Sequence, residues 1–182
     1  MARVPYLEKS DLSAEDQELL HRPISLHKAL VNSPGAARAF SSLGQYIRYG
    51  SKLDPRLREL AILQVGWLSR SPFEWSHHVK LGYDFGVTDD DIVGLIAEAA
   101  GKPNTLDPLA RLVLKAAREI TNDLGTSDAT FSELQQHFPN DQIIDLVLST
   151  AFYCAVVRIL GTFQVDVEPE YQPYLDKFPL PV

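Results

Sequence analysis

The chain has 182 residues, 45% hydrophobic and 23% charged, with a formal net charge of −7 and an isoelectric point near 5.2. That length and composition suit one globular domain with a substantial core and exclude a disordered chain. The acidic balance argues against a nucleic-acid or anionic-membrane partner, and the single cysteine, Cys154, excludes an internal disulfide and any Cys-x-x-Cys pair.

The first residues, Met-Ala-Arg-Val-Pro-Tyr, form no signal-peptide core, and no window approaches the roughly 20 apolar residues of a membrane span, so a cytoplasmic protein is expected. The hydrophobic pattern is helical, without the alternation that marks strands. Asp11 or Ser13 opens a first helix through Leu20, which Pro23 ends, and a short helical stretch covers Ile24 to Val31. Ser33-Pro34 is an N-cap followed by proline at the first helical position, and its helix runs to about Tyr49. Asp54-Pro55 repeats the device before a helix to Leu68 that is apolar nearly all round and therefore interior.

Ser71-Pro72 uses the device again and starts the helix carrying Glu74 and His78. Gly86 stops that helix, Thr88 caps the next over Asp89 to Ala99, and Gly101-Lys-Pro-Asn is a loop. Asp107-Pro108 begins a helix to about Asp123, Ser127 caps one to His137, and Asn140 or Asp141 opens a long apolar helix to about Phe163. From Val167 the chain holds Pro169, Pro173, Pro179 and Pro181, so it is expected to run extended over the surface or a neighbouring subunit. The whole reads as a single all-α domain: a helical extension over 1–53, a motif-bearing core over 54–100, helices over 105–165 and a proline-rich tail over 166–182.

Titratable chemistry concentrates between Glu59 and His78. Glutamate and histidine are costly on a buried surface unless paired or used, and Glu74 and His78, four residues apart, share one face of a helix. A histidine tuned by a carboxylate one turn away is a general acid–base group, and Glu59 from the preceding helix can hold its tautomer or share a proton with Glu74. Phe73 and Trp75 would supply apolar walls. Simpler accounts exist for each residue alone. Ser71-x-x-Glu74 is a capping box, Glu59 lies three residues after Arg56 and can pair with it, and His77 and His78 can be ordinary helix residues. A metal site is poorly matched because the second histidine of H-E-x-x-H is missing, and no cofactor is implied. Arg56, Arg58, Arg70, His77, His78 and Lys80 surround the motif, which suits a small anionic substrate.

Leu57-Arg-Glu59-Leu-Ala-Ile-Leu, then Glu74-Trp75-x-x-His78, then Gly86-Val-Thr-Asp-Asp-Asp-Ile92 resemble the carboxymuconolactone decarboxylase family, which includes the alkylhydroperoxidase D proteins. The resemblance extends to Arg3-Val-Pro-Tyr, to Tyr46-Ile-Arg-Tyr-Gly-Ser-Lys-Leu-Asp-Pro-Arg and to Ser127-Asp-Ala-Thr-Phe. It implies an alkylhydroperoxidase D-like helical fold and homo-oligomers, commonly trimers or hexamers, with the site near subunit contacts. It also favours His78 over His77 as the inward histidine. The redox branch uses a glutamate, a Cys-x-x-Cys pair and a histidine; here the glutamate falls on Glu59 and the histidine on His78, but the cysteines correspond to Ser71 and Glu74. Neither can act as a thiolate, so thiol peroxidase activity does not carry over. The decarboxylase branch, which lacks the pair, implies a lyase acting on a carboxylated lactone through His78, Glu74 and Glu59. Phe73, Trp75, His77 and Arg56 are the expected substrate contacts, and a non-catalytic helical ligand-binding oligomer is the rival expectation.

Overall fold

A side chain that accepts from an exposed amide, followed in two cases by proline in the first turn, sets where several of the helices begin. Asp54 accepts from the Leu57 amide, Asp107 from that of Ala110 and Ser127 from that of Thr130. Thr88 and Asp91 form a reciprocal capping box. The computed structural model describes residues 2–181, and every regular element among them is helical. The helices are α1 (Ser25–Leu30), α2 (Pro34–Gln45), α3 (Pro55–Leu68), α4 (Pro72–Asp84), α5 (Asp89–Ala99), α6 (Pro108–Asp123), α7 (Asp128–His137), α8 (Asn140–Phe163) and α9 (Gln172–Lys177).

The ends of the chain depart from expectation. The anticipated first helix is only two 3₁₀ turns, Lys9–Asp11 and Asp16–Leu20. The helix from Pro34 leaves α geometry after Gln45 and finishes in one turn of π-helix, Tyr46–Gly50. The tail is not extended. Pro169 opens a 3₁₀ turn and Pro173 sits in the first turn of α9, positions where a missing amide costs nothing. This tail packs on α4 of its own chain, where the Trp75 indole donates to the Phe178 carbonyl at 2.7 Å.

α3 is the central element, buried without interruption from Leu57 to Gly66 and packed against α4, α6 and α8. It separates two apolar clusters. One gathers Leu60, Leu63, Trp75, Ile92, Leu95 and Leu114 on the α5–α6 side. The other gathers Leu26, Ile47, Ile62, Phe73, Tyr153 and Val156 on the α8 side. α3 and α4 approach closely at Gly66, where an added Cβ would stand 3.3 Å from the Trp75 amide nitrogen and 3.5 Å from Glu74 Cγ. That approach brings the carboxylate of one helix onto the histidine of the other.

α8 corrects the membrane reading of the sequence. Among the described residues it alone is long and apolar enough to cross a membrane by length and composition. Half of its most apolar window is buried inside the domain, against α3 and α6, so it serves as a core helix.

Candidate active site

Glu59, Glu74 and His78 converge. The His78 ring donates from Nδ1 to Glu59 Oε2 at 2.7 Å, and its Nε2 stands 3.0 Å from Glu74 Oε1. The three residues are 1%, 2% and 5% exposed, too dry for any of them to lean on solvent. Arg58 completes the network: its Nε and Nη2 donate to Glu59 Oε1 at 3.2 and 3.1 Å, and its Nη1 donates to the Arg48 carbonyl at 3.2 Å. The guanidinium itself lies over the Phe85 ring. Glu59 thus receives donors on both oxygens, while Glu74 Oε1 lies off the line that a hydrogen bond from His78 needs and is left without a hydrogen-bond partner.

Burial alone would strip the proton from His78. The charges of Glu74 and Glu59, with the hydrogen bond to Glu59, outweigh it and raise the imidazole from its ordinary 6.5 to about 9. Burial likewise works to raise Glu59, but the His78 charge and the Arg58 guanidinium hold it below the usual carboxylate range. At neutral pH the centre is therefore an imidazolium clamped between two carboxylates. Tyr153 closes its flank with an edge-on ring at 4.8 Å, and burial, reinforced by Glu74 and Glu59, keeps that phenol protonated.

Glu74 and His78 face a cavity of about 260 Å³. Its walls come from α1, α2 and the π turn on one side and from α4 and α8 on the other; Leu26, Phe40, Phe73, Phe152 and Val156 supply its apolar lining. Ser71 makes no cap bond with its side chain, so the capping-box account of Glu74 does not hold; the carboxylate turns to His78 instead.

His77 also borders the cavity but is held by a different set of groups. It lies between the rings of Phe73 and Tyr171, at 3.8 and 3.5 Å. Nδ1 donates to the Phe73 carbonyl at 2.8 Å, and Nε2 stands 3.1 Å from Glu168 Oε2 on the tail. Glu168 also accepts from the Ser25 amide; burial acts to raise its carboxyl, and the His77 and Ser25 contacts bring it down to about 2.

Two expected contacts lie elsewhere. Trp75 is fully buried in the α5–α6 cluster, because its position on α4 points away from the face of Glu74 and His78. Arg56 is bound by Asp91 and by Asp107, the latter at 2.9 Å, and ties the starts of α3, α5 and α6 together. The positive charges of Arg56, Arg58 and Lys80 near the motif are thus spent on carboxylates. The cations that do line the cavity, Arg22 and Arg48, come from the N-terminal third, where nothing in the local spacing connects them with Glu59 or His78.

The fold is that of the alkylhydroperoxidase D-like all-α proteins. One solved structure, described as the alkylhydroperoxidase AhpD core of an uncharacterized peroxidase-related protein from Ralstonia eutropha JMP134, shares 18% identity over 96% of this chain and 95% of that one, with a TM-score of 0.81. A cysteine-to-alanine variant of the debrominase Bmp8, in complex with 2,3,4-tribromopyrrole, shares 16% identity over 97% of each chain, with a TM-score of 0.79. An uncharacterized peroxidase-related protein from Silicibacter sp. TM1040 shares 18% identity over 93% of this chain and 92% of that one, at 0.70. Curated proteins offer no match. Over residues 34–119 the chain matches the model of the Carboxymuconolactone decarboxylase family. It lacks the Cys-x-x-Cys pair, and Cys154, partly buried on α8 beside the Thr121 hydroxyl, does not line the cavity.

Proposed function

We propose that the protein is a cofactor-independent acid–base enzyme that decarboxylates or isomerises a small carboxylated or lactone-type molecule. The observation that supports this is His78, held between two carboxylates at the wall of an apolar cavity, with one Glu74 oxygen left under-bonded. In the decarboxylation, the bond from carbon to the leaving carboxylate breaks and carbon dioxide departs. The electron pair stays on the substrate as an enolate, and the proton of the His78–Glu74 pair moves to that carbon. Water then returns a proton to the pair. Isomerisation uses the same pair in both directions, removing a proton at one carbon and delivering it at another. Glu59 holds the far side of the ring at Nδ1, and Arg58, bound to the other Glu59 oxygen, fixes that carboxylate and through it the ring's orientation.

The relative that binds 2,3,4-tribromopyrrole lends weight to a small planar ring as ligand. Thiol chemistry is disfavoured, because no cysteine reaches this cavity. The test is to incubate the protein in D₂O with carboxymuconolactone and with simpler unsaturated lactone carboxylates, and to follow deuterium at carbon by NMR together with carbon dioxide release. Incorporation by the wild type and its loss in Glu74→Gln is the expected result. Binding without exchange across the series would replace the enzyme reading with that of a non-catalytic ligand-binding protein.

Self-association belongs to the same proposal. α8 leaves Ile144 (63% exposed), Val147 (37%), Ala151 and Ala155 on one line of its outer face, and we take a second copy of the chain as the partner that covers them. Light scattering is expected to show a trimer or hexamer for the wild type and a smaller species for the Ile144→Asp, Val147→Asp double variant. A monomeric wild type would end the idea.

A further inference from the structure

Arg48 occupies a position that several other residues are used to define. The π turn that carries it, Tyr46–Gly50, inserts an extra residue per turn relative to an α-helix and so redirects the side chains that follow Gln45. Two separate networks hold that turn. Asp145 of α8, 3% exposed, accepts from the Tyr46 hydroxyl at 2.8 Å, from the Ser51 hydroxyl at 3.1 Å and from the Lys52 amide at 2.7 Å. On the other side Arg58, already bound to Glu59, donates to the Arg48 carbonyl. The same guanidinium therefore fixes both Glu59 and the backbone of Arg48, which sets the distance between the acid–base centre and the Arg48 side chain.

That side chain is only partly exposed and borders the cavity, as does Arg22. Most of the other arginines near the motif have a carboxylate; among the described residues neither Arg22 nor Arg48 has one. Both charges are felt by His27, which also lines the cavity. Its burial, with these cations adding to the effect, brings its imidazole down to about 4, so it is neutral where they are charged. The Arg48 charge also reaches the Tyr153 phenol, the ring that flanks His78. Two guanidinium groups with no carboxylate among the described residues, beside a cavity lined in part by aromatic rings, form an anion site with an apolar body attached. The planar fork of an arginine matches a carboxylate, and an apolar, ring-sized space beside it matches a flat unsaturated substituent.

We propose that Arg48, assisted by Arg22, is the carboxylate-binding subsite of this cavity and selects planar unsaturated or aromatic carboxylates. The ring lies among Phe40, Phe73 and Phe152, and the carboxylate is held away from the like charge of Glu74. This rests on the acid–base reading of the same cavity, since it names the group that orients a substrate there. Its anchored carboxylate is one that stays on the substrate, distinct from any group lost as carbon dioxide.

The test uses the full-length protein with benzoate and its neutral isostere benzamide, titrated by calorimetry and by NMR of the histidine ring protons at low salt. Wild type is expected to bind benzoate about tenfold to a hundredfold more tightly than benzamide. Arg48→Gln is expected to erase that preference while leaving benzamide affinity unchanged, and Arg48→Lys to recover part of it. Arg22→Gln should reduce the preference without removing it. Should Arg48→Gln fail to fold, judged by circular dichroism, the Lys and Arg22 variants carry the test. No preference for benzoate in the wild type, or one that survives Arg48→Gln, overturns the proposal. His78→Gln separates this from the acid–base reading: it should keep the benzoate preference while losing proton exchange at carbon. Benzoate preference with no exchange in any protein would sink only the enzyme reading.

Discussion

Replacing His78 by Gln is expected to lower turnover by about 10³-fold, the usual worth of a positioned proton-transfer group, with helix content unchanged. The pH profile adds a sharper readout. The imidazole is raised from 6.5 to about 9, so wild-type activity that depends on its proton should hold through neutral pH and decline above about 9. The same shift has a stability consequence with a definite sign. A group whose folded pKa is raised contributes stability that is complete below the unfolded value, near 6.5, and is lost as the pH rises through the folded value, near 9. Urea unfolding should therefore show the wild type more stable than His78→Gln at pH 6, by something on the order of 3 kcal/mol, with the gap closing by pH 10. Glu59 works in the opposite direction, since its depressed pKa gives stability that fades as the pH falls. A gap of equal size at both pH values would mean that His78 contributes packing alone, and undiminished turnover would remove it from the mechanism.

Glu59→Ala is expected to be the most destabilising single change in the site. It removes the acceptor of two arginine donors and one imidazole donor, leaving Arg58 and His78 buried at 1% and 5% exposure with a shared partner missing. Breaking a buried charged network from one side costs about 3–5 kcal/mol, which in a chain of this size lowers the melting temperature by roughly 10 °C. Glu59→Gln, which keeps an acceptor oxygen, should cost clearly less. The surface pair Lys80–Asp84 is the control: both side chains are about half exposed, and Asp84→Ala should change stability by less than about 1 kcal/mol. Thermal melts of the three variants decide the matter, and a loss for Glu59→Ala no larger than the control's would show that Glu59 carries no structural charge network.

How far the sequence reached differs between the motif and its surroundings. Helix starts at Pro55, Pro72, Pro108 and Asp128 were legible because each has a local cause: a cap, a proline or both. The π turn after Gln45 had no such signature; it is held by Asp145, which lies almost a hundred residues away. Prolines in the tail suggested an extended segment, yet Pro169 and Pro173 serve as helix starters because the tail finds Trp75 and His77 to pack on. The i to i+4 relation of Glu74 and His78 was visible in the spacing. Whether Glu74 would cap Ser71 or turn to His78 was not, because both partners are within one turn of it.

The residue types and their helical spacing thus determined, without further information, an all-α chain with two glutamates and a histidine on neighbouring buried helices and no thiol pair. These follow from local rules: periodicity, caps and chemical identity. Only the tertiary structure decided which charges are spent and which remain free. Arg56, near the motif in sequence, is occupied by Asp91 and Asp107, whereas Arg48 and Arg22 reach the cavity with no carboxylate partner among the described residues. The physical reason is that ion pairing and desolvation depend on distance in space and on burial, and neither quantity is encoded in the separation of two residues along a chain.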